Sequence, residues 1–295
     1  MRVFVTGASG FVGTAVVQQL LQAGHQVVGL VRSDQAAKRL QESGIETHTG
    51  NLDQPETIVA GLKNCDAVIH TAFNHDFSRF KENCELDRRV ILALGDALAG
   101  TGRPLVITSG IGLLSADRLI TEDDLPPSSE VIPRAASEEA ARTVAAKGVK
   151  AYIVRLPPTV HDKGDHGFVP MITGMAKDKG ESVYIGEGQN NWPAVHRSDA
   201  ATVYRLIVEM QPAQQVYHAV AEEGIPFRKI AEAIGKGLGL PAVSKAAADA
   251  EKHFTWFTHF AKMDCRASSQ QTRDTLGWKP AGPALMEDLV PGIYF

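Results

Sequence analysis

Three glycines spaced by three residues, Gly7, Gly10 and Gly13, follow the apolar run 3–5 and open a helix-forming stretch from Thr14 to Leu21. Strand, glycine turn and helix start in that order form a cradle for a diphosphate. Gly7 permits the tight turn, Gly10 lets the main chain approach the anion, and Gly13 lets the helix lie close to the strand. The spacing is GxxGxxG rather than GxGxxG, so the strand–turn–helix context carries the assignment. The plain alternative is a tight β–α turn with no ligand.

A second signal stands at the end of the next apolar run, 27–31. An acid there would favour the ribose hydroxyl of NAD. Val31 takes that place, followed by Arg32, whose planar fork suits a phosphate, by Ser33, and one helical turn on by Lys38. NADP(H) is therefore expected over NAD(H). The alternative is an Arg32 that stacks on adenine or points to solvent.

Two further groups could do chemistry on a ligand so held. Ser109 ends the run 105–109, at the strand end where ligands bind in such sheets; it could orient a substrate oxygen or simply bond to backbone. His75, beside Asp76 in the segment 73–77, could donate a proton near neutral pH with Asp76 tuning it. Alternatively Asn74 and Asp76 cap the next helix and His75 sits in solvent.

The elements that must position these groups alternate. Strand-like runs at 3–5, 27–31, 46–48, 67–71, 105–109 and 151–155 are separated by helical stretches near 11–23, 34–43, 54–62, 79–100 and 135–147. Such alternation predicts βαβ crossovers and an α/β fold, a Rossmann-type doubly wound parallel sheet, with strands apolar on both faces. Pro157-Pro158 ends the sixth run and a loop follows through Gly164, Gly167 and Pro170. Helices are expected at 168–178, 199–209 and 226–238, with strands at 183–185 and 215–219. The predicted organisation is an NADP-binding domain over 1–160, to which about 190–220 returns, and a smaller C-terminal α/β substrate lobe over 161–295.

The chain has 295 residues, 22% of them charged, and a formal net charge of -4. Neither nucleic acid nor an anionic membrane is an expected partner. No apolar run approaches the roughly 20 residues of a membrane span. Cys65, Cys84 and Cys265 are widely spaced and give no metal-site pattern; no metal is expected, and a cytoplasmic location with buried or incidental thiols is.

The chain resembles the extended short-chain dehydrogenase/reductase family, the NAD(P)-dependent epimerase/dehydratase-like proteins, over nearly its whole length. The resemblance rests on TGASGFVG at 6–13, Gly50-Asn51-Leu52-Asp53, Ile69-His70-Thr71-Ala72, Asn83, Val106-Ile107-Thr108-Ser109, Arg155-Leu156-Pro157 through Gly164, Val195-His196-Arg197-Ser198-Asp199, and TRDTLGWKP at 272–280. It implies cofactor contacts from Thr6, Gly7, Ser9, Gly10, Phe11, Val12 and Gly13. It adds Arg32 and Ser33, Asn51 and Leu52, then Thr71, Ala72, Phe73 and Pro157. It also implies a small-molecule substrate and a homodimer through the helices near 79–100 and 135–147.

The departures bear on chemistry. Where the family carries a Tyr proton donor and a Lys four residues on, this chain has Arg134 and Glu138. None of its tyrosines, at 152, 184, 204, 217 and 294, begins a Tyr-x-x-x-Lys. Arg134 could stabilise an oxyanion or clamp a carboxylate but is a poor proton donor; the alternative is a surface ion pair with Glu138. His161 falls at the Tyr of the family's R-P-x-x-x-Y-G segment and is expected, with Asp165 and His166, among loop and pocket residues. Trp192 and Pro193 are expected in the pocket wall. His196 and Asp199 are expected to be structural. The aromatic block 253–260 reads as a packing face, or as a greasy lid over an apolar substrate.

The reading is an NADPH-dependent oxidoreductase of a small carbonyl or related substrate, with Ser109, His75 and Arg134 as its polar groups. The alternatives are an enzyme like the sugar-nucleotide epimerases and dehydratases, and a non-catalytic NADP-binding redox sensor.

Overall fold

A computed structural model describes residues 1–114 and 118–295. The first half follows the expected alternation: β1 (Arg2–Thr6), α1 (Phe11–Gln22), β2 (Gln26–Val31), α2 (Asp34–Glu42), β3 (Glu46–Thr49), α3 (Pro55–Val59), β4 (Ala67–His70), α4 (Phe80–Leu98), β5 (Pro104–Gly110), α5 (Ala136–Ala146) and β6 (Lys150–Leu156). The second half continues with β7 (Thr159–His161), α6 (Phe168–Lys179), β8 (Ser182–Ile185), β9 (Asn191–His196), α7 (Arg197–Met210), β10 (Val216–His218), β11 (Glu222–Pro226), α8 (Phe227–Leu238), β12 (Ala242–Lys245) and α9 (Ala247–Phe254). Short helical turns follow to the C-terminus.

Seven parallel strands form one sheet in the order β10-β6-β5-β4-β1-β2-β3. The order reverses between β1 and β4, and the carboxyl ends of those strands flank the crevice where α/β sheets bind ligands. The central strands are mostly apolar because helices cover both faces, α1 and α7 on one side and α4 and α5 on the other, with buried polar residues only toward their carboxyl ends. On that second side α4 and α5 approach closely because Gly95 faces Val144; a Cβ there would lie 2.2 Å from Val144 Cγ1. This approach brings together the charged residues described below.

β11-β9-β7 and β12-β8 are two small sheets whose apolar side chains, Trp192, Phe227, Phe254 and Phe257 among them, form a core of their own. The residues of β7 were read as loop; the strand is three residues long and begins directly after the double proline, too short to show an alternation. Trp192 and Pro193 are buried within this region, so they do not line a pocket wall as expected. All three cysteines are buried and free. No described helix is long and apolar enough to cross a membrane, and no cluster of potential metal ligands occurs among the described residues.

Candidate active site

The turn after β1 is shaped by its glycines. Gly7 has φ +70°, and a Cβ on Gly13 would stand 1.9 Å from the Gly7 carbonyl oxygen. Thr71 Oγ1 donates to the Thr6 carbonyl at 2.7 Å, and the Ala72 amide donates to Thr6 Oγ1 at 3.2 Å, tying the β4 end to the turn. Gly10 is the N-cap of α1 and offers no side chain to the first-turn amides. Ser9 and Gly10 are exposed, with Phe11 and Val12 half-buried beside them. An open helix N-terminus on a cradle that any Cβ at Gly13 would fill is what a diphosphate needs.

Val31 is buried at the end of β2 and Arg32 is exposed just beyond it. Ser33 Oγ accepts the Ala36 amide at 3.3 Å, so this hydroxyl also starts α2. Arg32 makes no side-chain hydrogen bond among the described residues and is available to an anion arriving from the turn. Asn51 Oδ1 accepts the Asp53 amide at 3.3 Å, and Leu52 packs on the core below. Pro157 is buried just past β6.

Ser109 stands at the carboxyl end of β5 and is buried. Its hydroxyl donates to Glu138 Oε1 at 2.7 Å. Glu138 also receives Arg155 Nε at 2.8 Å, Arg155 Nη2 at 2.9 Å and Arg142 Nη2 at 2.8 Å. Burial alone would raise the Glu138 carboxyl, but the hydrogen bonds and charge of Arg155 hold it below the usual range. The chain continues inward, where Arg155 Nη1 donates to His218 Nε2 at 3.2 Å and His218 Nδ1 donates to the Ser268 carbonyl at 2.8 Å. Burial, and then the charge of Arg155, push His218 down to about 4.

Glu138 is therefore a buried partner of Arg155 and not the surface partner of Arg134 that the four-residue spacing predicted. Arg134 lies in a 3-10 turn (Pro133–Ala135) that precedes α5, so the helical i,i+4 geometry does not reach it. Its Nη1 donates to Asp87 Oδ2 at 3.0 Å and to Ser137 Oγ, and its Nη2 donates to the Thr108 carbonyl at 3.0 Å. The guanidinium lies 4.2 Å from the Phe73 ring centroid. Asp87 Oδ1 meets His70 Nε2 at 2.9 Å, and His70 Nδ1 meets Thr6 Oγ1 at 2.7 Å. A buried polar line thus runs from the glycine-turn strand to Arg134. Burial would raise Asp87, yet Arg134 and then His70 hold it below its ordinary value. The line was not foreseen: His70 and Asp87 are 17 residues apart and Asp87 and Arg134 are 47 apart.

His75 is exposed, with Phe73 and Phe77 rings 5.2 and 6.4 Å away. The protein mass around it, and then the Arg134 charge, lower its pKa, so it is neutral at pH 7. Asp76 does not tune it: Asp76 Oδ1 accepts the Ser78 amide at 3.0 Å and the Ser78 hydroxyl, starting the next turn. The alternative reading is the one observed here: Asn74 and Asp76 accept amides at the start of the next turn, beside a solvent-facing His75.

His161 leaves the expected pocket group. It is buried on β7, with Nδ1 2.6 Å from Asp288 Oδ2. His196 bonds Ser198 at the start of α7, and Asp199 receives the Ala281 and Gly282 amides, both structural as expected. His166 is exposed and meets the Phe11 ring edge-on at 5.8 Å. In the aromatic block Phe254 and Phe257 are core residues, while Trp256 is 54% exposed and faces Phe77 at 5.3 Å.

The model of the NAD dependent epimerase/dehydratase family matches residues 3–220. The uncharacterized protein C2A9.02 of Schizosaccharomyces pombe is 50% identical across 100% of both chains, and YLL056C of Saccharomyces cerevisiae is 43% identical across 98% of both. A 2-alkyl-3-oxoalkanoate reductase of Stenotrophomonas maltophilia is 28% identical over 83% of this chain and 78% of its own. Among solved structures, the dTDP-glucose 4,6-dehydratase DesIV of Streptomyces venezuelae, with NAD bound, aligns with a TM-score of 0.78 at 18% identity, covering 99% of this chain and 96% of its own.

Proposed function

Since the chain belongs to the NAD dependent epimerase/dehydratase family, we propose that it is an NADPH-dependent reductase of a small carbonyl or related acceptor. The observation that carries the reading is the placing of Arg134. A fixed guanidinium, 15% exposed, stands at the mouth of the crevice and is anchored through Asp87 and His70 to the strand that ends in the glycine turn.

When bound, the nicotinamide would supply a hydride. The residues around it bind and orient. The open N-terminus of α1 takes the diphosphate, and Arg32 takes the 2′-phosphate. Arg134 offers its remaining N–H groups to an oxygen that gains negative charge, a contact that strengthens as the charge develops. Ser109 has given its hydrogen to Glu138, so toward the crevice it presents lone pairs and accepts an O–H or N–H. Neutral His75 lines the open side.

The test starts with dissociation constants for NADPH and NADH, followed by NADPH oxidation against a panel of aldehydes and ketones. The expected result is tighter binding of NADPH and turnover that falls in Arg134→Ala and Ser109→Ala. Tight NADPH binding with no turnover across the panel would replace the reductase with a redox sensor.

A further inference from the structure

We infer, resting on the reductase reading, that the acceptor is a flat conjugated electrophile, a quinone or an extended enone, held against Arg134 and the aromatic wall that continues from it, built from both halves of the chain. The first ground is where the protons are. Reduction of a saturated ketone leaves an alkoxide, a strong base that must receive a proton as it forms. The groups nearest the strand ends cannot give one. Arg134 keeps its proton at any working pH, and the Ser109 hydrogen is held by an ionised, buried carboxylate. His75 and His166 stand at the solvent-exposed rim, so any proton they pass comes from bulk water.

A conjugated acceptor makes a smaller demand. After hydride addition its charge is delocalised away from the reacting centre, and the oxygen of the resulting hydroquinone anion is about as basic as a phenolate, the conjugate acid having a pKa of ~10; an enolate oxygen is likewise far less basic than an alkoxide. A fixed cation stabilises such an anion without proton transfer. The balance is simple: the acceptor takes one hydrogen and two electrons from the reduced nicotinamide, NADP+ is left, the acceptor oxygen carries the negative charge beside Arg134, and water supplies one proton after or during release.

The second ground is the wall. Phe73 lies under Arg134 and meets Phe80 at 6.3 Å. Phe77 stacks on Phe80 at 5.6 Å, and Trp256 and Phe260 reach it from the far half at 5.3 and 5.9 Å. Trp256 remains 54% exposed, a large aromatic surface open to stacking at the far end of the row of rings that begins at Arg134 and Phe73. A flat π-system bearing an oxygen fits both features.

The probe is a hydroxynaphthoquinone, an anion at neutral pH that resembles the acceptor after hydride addition. Its binding is read by quenching of tryptophan fluorescence, since Trp192 and Trp278 are buried and Trp256 is the exposed indole. NADPH binding is measured first; its failure would sink the reductase reading itself. With NADP+ bound, the complement of an anion formed by hydride addition and a form that cannot turn the probe over, the expected results are saturable quenching, loss of most of it in Trp256→Leu, and about ten-fold weaker binding in Arg134→Ala, partly restored in Arg134→Lys. A naphthoquinone should be reduced with kcat/KM at least ~100-fold above cyclohexanone. Equal or faster turnover of cyclohexanone, or probe binding indifferent to Arg134→Ala, overturns the inference while leaving the reductase reading standing.

Discussion

The packed helices α4 and α5 each carry a buried carboxylate paired with an arginine from outside the helix, and the two pairs put the same ingredients to different uses. Glu138 and Arg155 are both 0% exposed, and both carboxylate oxygens are bonded to Arg155, with the half-exposed Arg142 covering one of them from outside. Asp87 is equally buried, but its partner Arg134 keeps 15% of its side chain open at the crevice. The first pair is sealed and can only hold the structure. The second fixes a cation in place and leaves donors free. At the position the resemblance gives to Lys stands a carboxylate, Glu138, buried with Arg155 as its compensating cation. The residue at the position the resemblance gives to Tyr, Arg134, stays partly open, and a guanidinium is a poor proton donor.

The sharpest way to break this contrast is to neutralise each carboxylate in turn. Glu138→Gln leaves Arg155 charged and buried, which typically costs about 3–5 kcal/mol. Denaturant unfolding should show that loss, or the variant should fail to fold. The double replacement Glu138→Leu with Arg155→Met removes both charges and should recover most of the stability. Asp87→Asn should cost clearly less, because Arg134 can turn toward water. Equal losses at the two sites would abolish the distinction between a sealed and an open pair.

The sealed pair also carries a histidine, and pH reads it. His218 is held neutral, down to about 4 from an ordinary 6.5. Between those values the unfolded chain binds a proton that the native chain does not, so stability falls as pH falls through that window. The full span corresponds to roughly 3 kcal/mol. His253, also pushed to about 4 by burial and then by Lys179, adds a parallel loss. The Glu138 contribution has the depressed-acid sign: it is present above the ordinary carboxylate range and is lost only at lower pH. Unfolding free energies at pH 7, 6 and 5 for the wild type and His218→Gln should show a shallower slope in the variant. An unchanged slope would mean that His218 is not kept neutral by this network.

At the open pair the expected loss is first of all kinetic. Arg134→Ala should lower kcat/KM by about 100-fold, the typical cost of one fixed donor to a developing anion, and should also lower the unfolding midpoint, because buried Asp87 loses its main cation; the double replacement Arg134→Ala with Asp87→Asn should recover the midpoint but not the turnover. A large fall in midpoint with unaltered turnover would make Arg134 as structural as Arg155.

The contrast also marks what the sequence made legible. The glycine turn is local: three residues at fixed spacing between a strand and a helix leave little choice of conformation, and the sheet follows from alternation. Ser109 at the end of β5 and His75 in the loop after β4 were visible for the same reason. The charge networks were not. Asp87 meets Arg134 only because α4 and α5 are drawn together at Gly95 and Val144, and Glu138 meets Arg155 only because β6 lies beside β5. The i,i+4 spacing of Arg134 and Glu138 pointed to the wrong pairing because Arg134 precedes the helix. His161 was placed in the pocket by likeness to a loop segment, whereas a three-residue strand turns it inward to Asp288. Long-range electrostatic partners have no signature in a single chain until the fold has placed them.

The smallest effect concerns the local, legible end of the molecule. Arg32 is exposed beyond β2 and Ser33 is engaged at the start of α2. If Arg32 grips a 2′-phosphate at the surface, where screening is strong, its removal should weaken NADPH by about ten-fold, near 1.4 kcal/mol, and leave NADH unchanged. The NADPH constant of the wild type should also weaken with added salt more steeply than that of Arg32→Ala, because one ionic contact has gone. Loss of both nucleotides together would instead place Arg32 on the adenine, a group they share. That outcome would leave the diphosphate cradle intact while removing the preference between cofactors, since Val31 offers neither an acid for the ribose nor a cation for the phosphate.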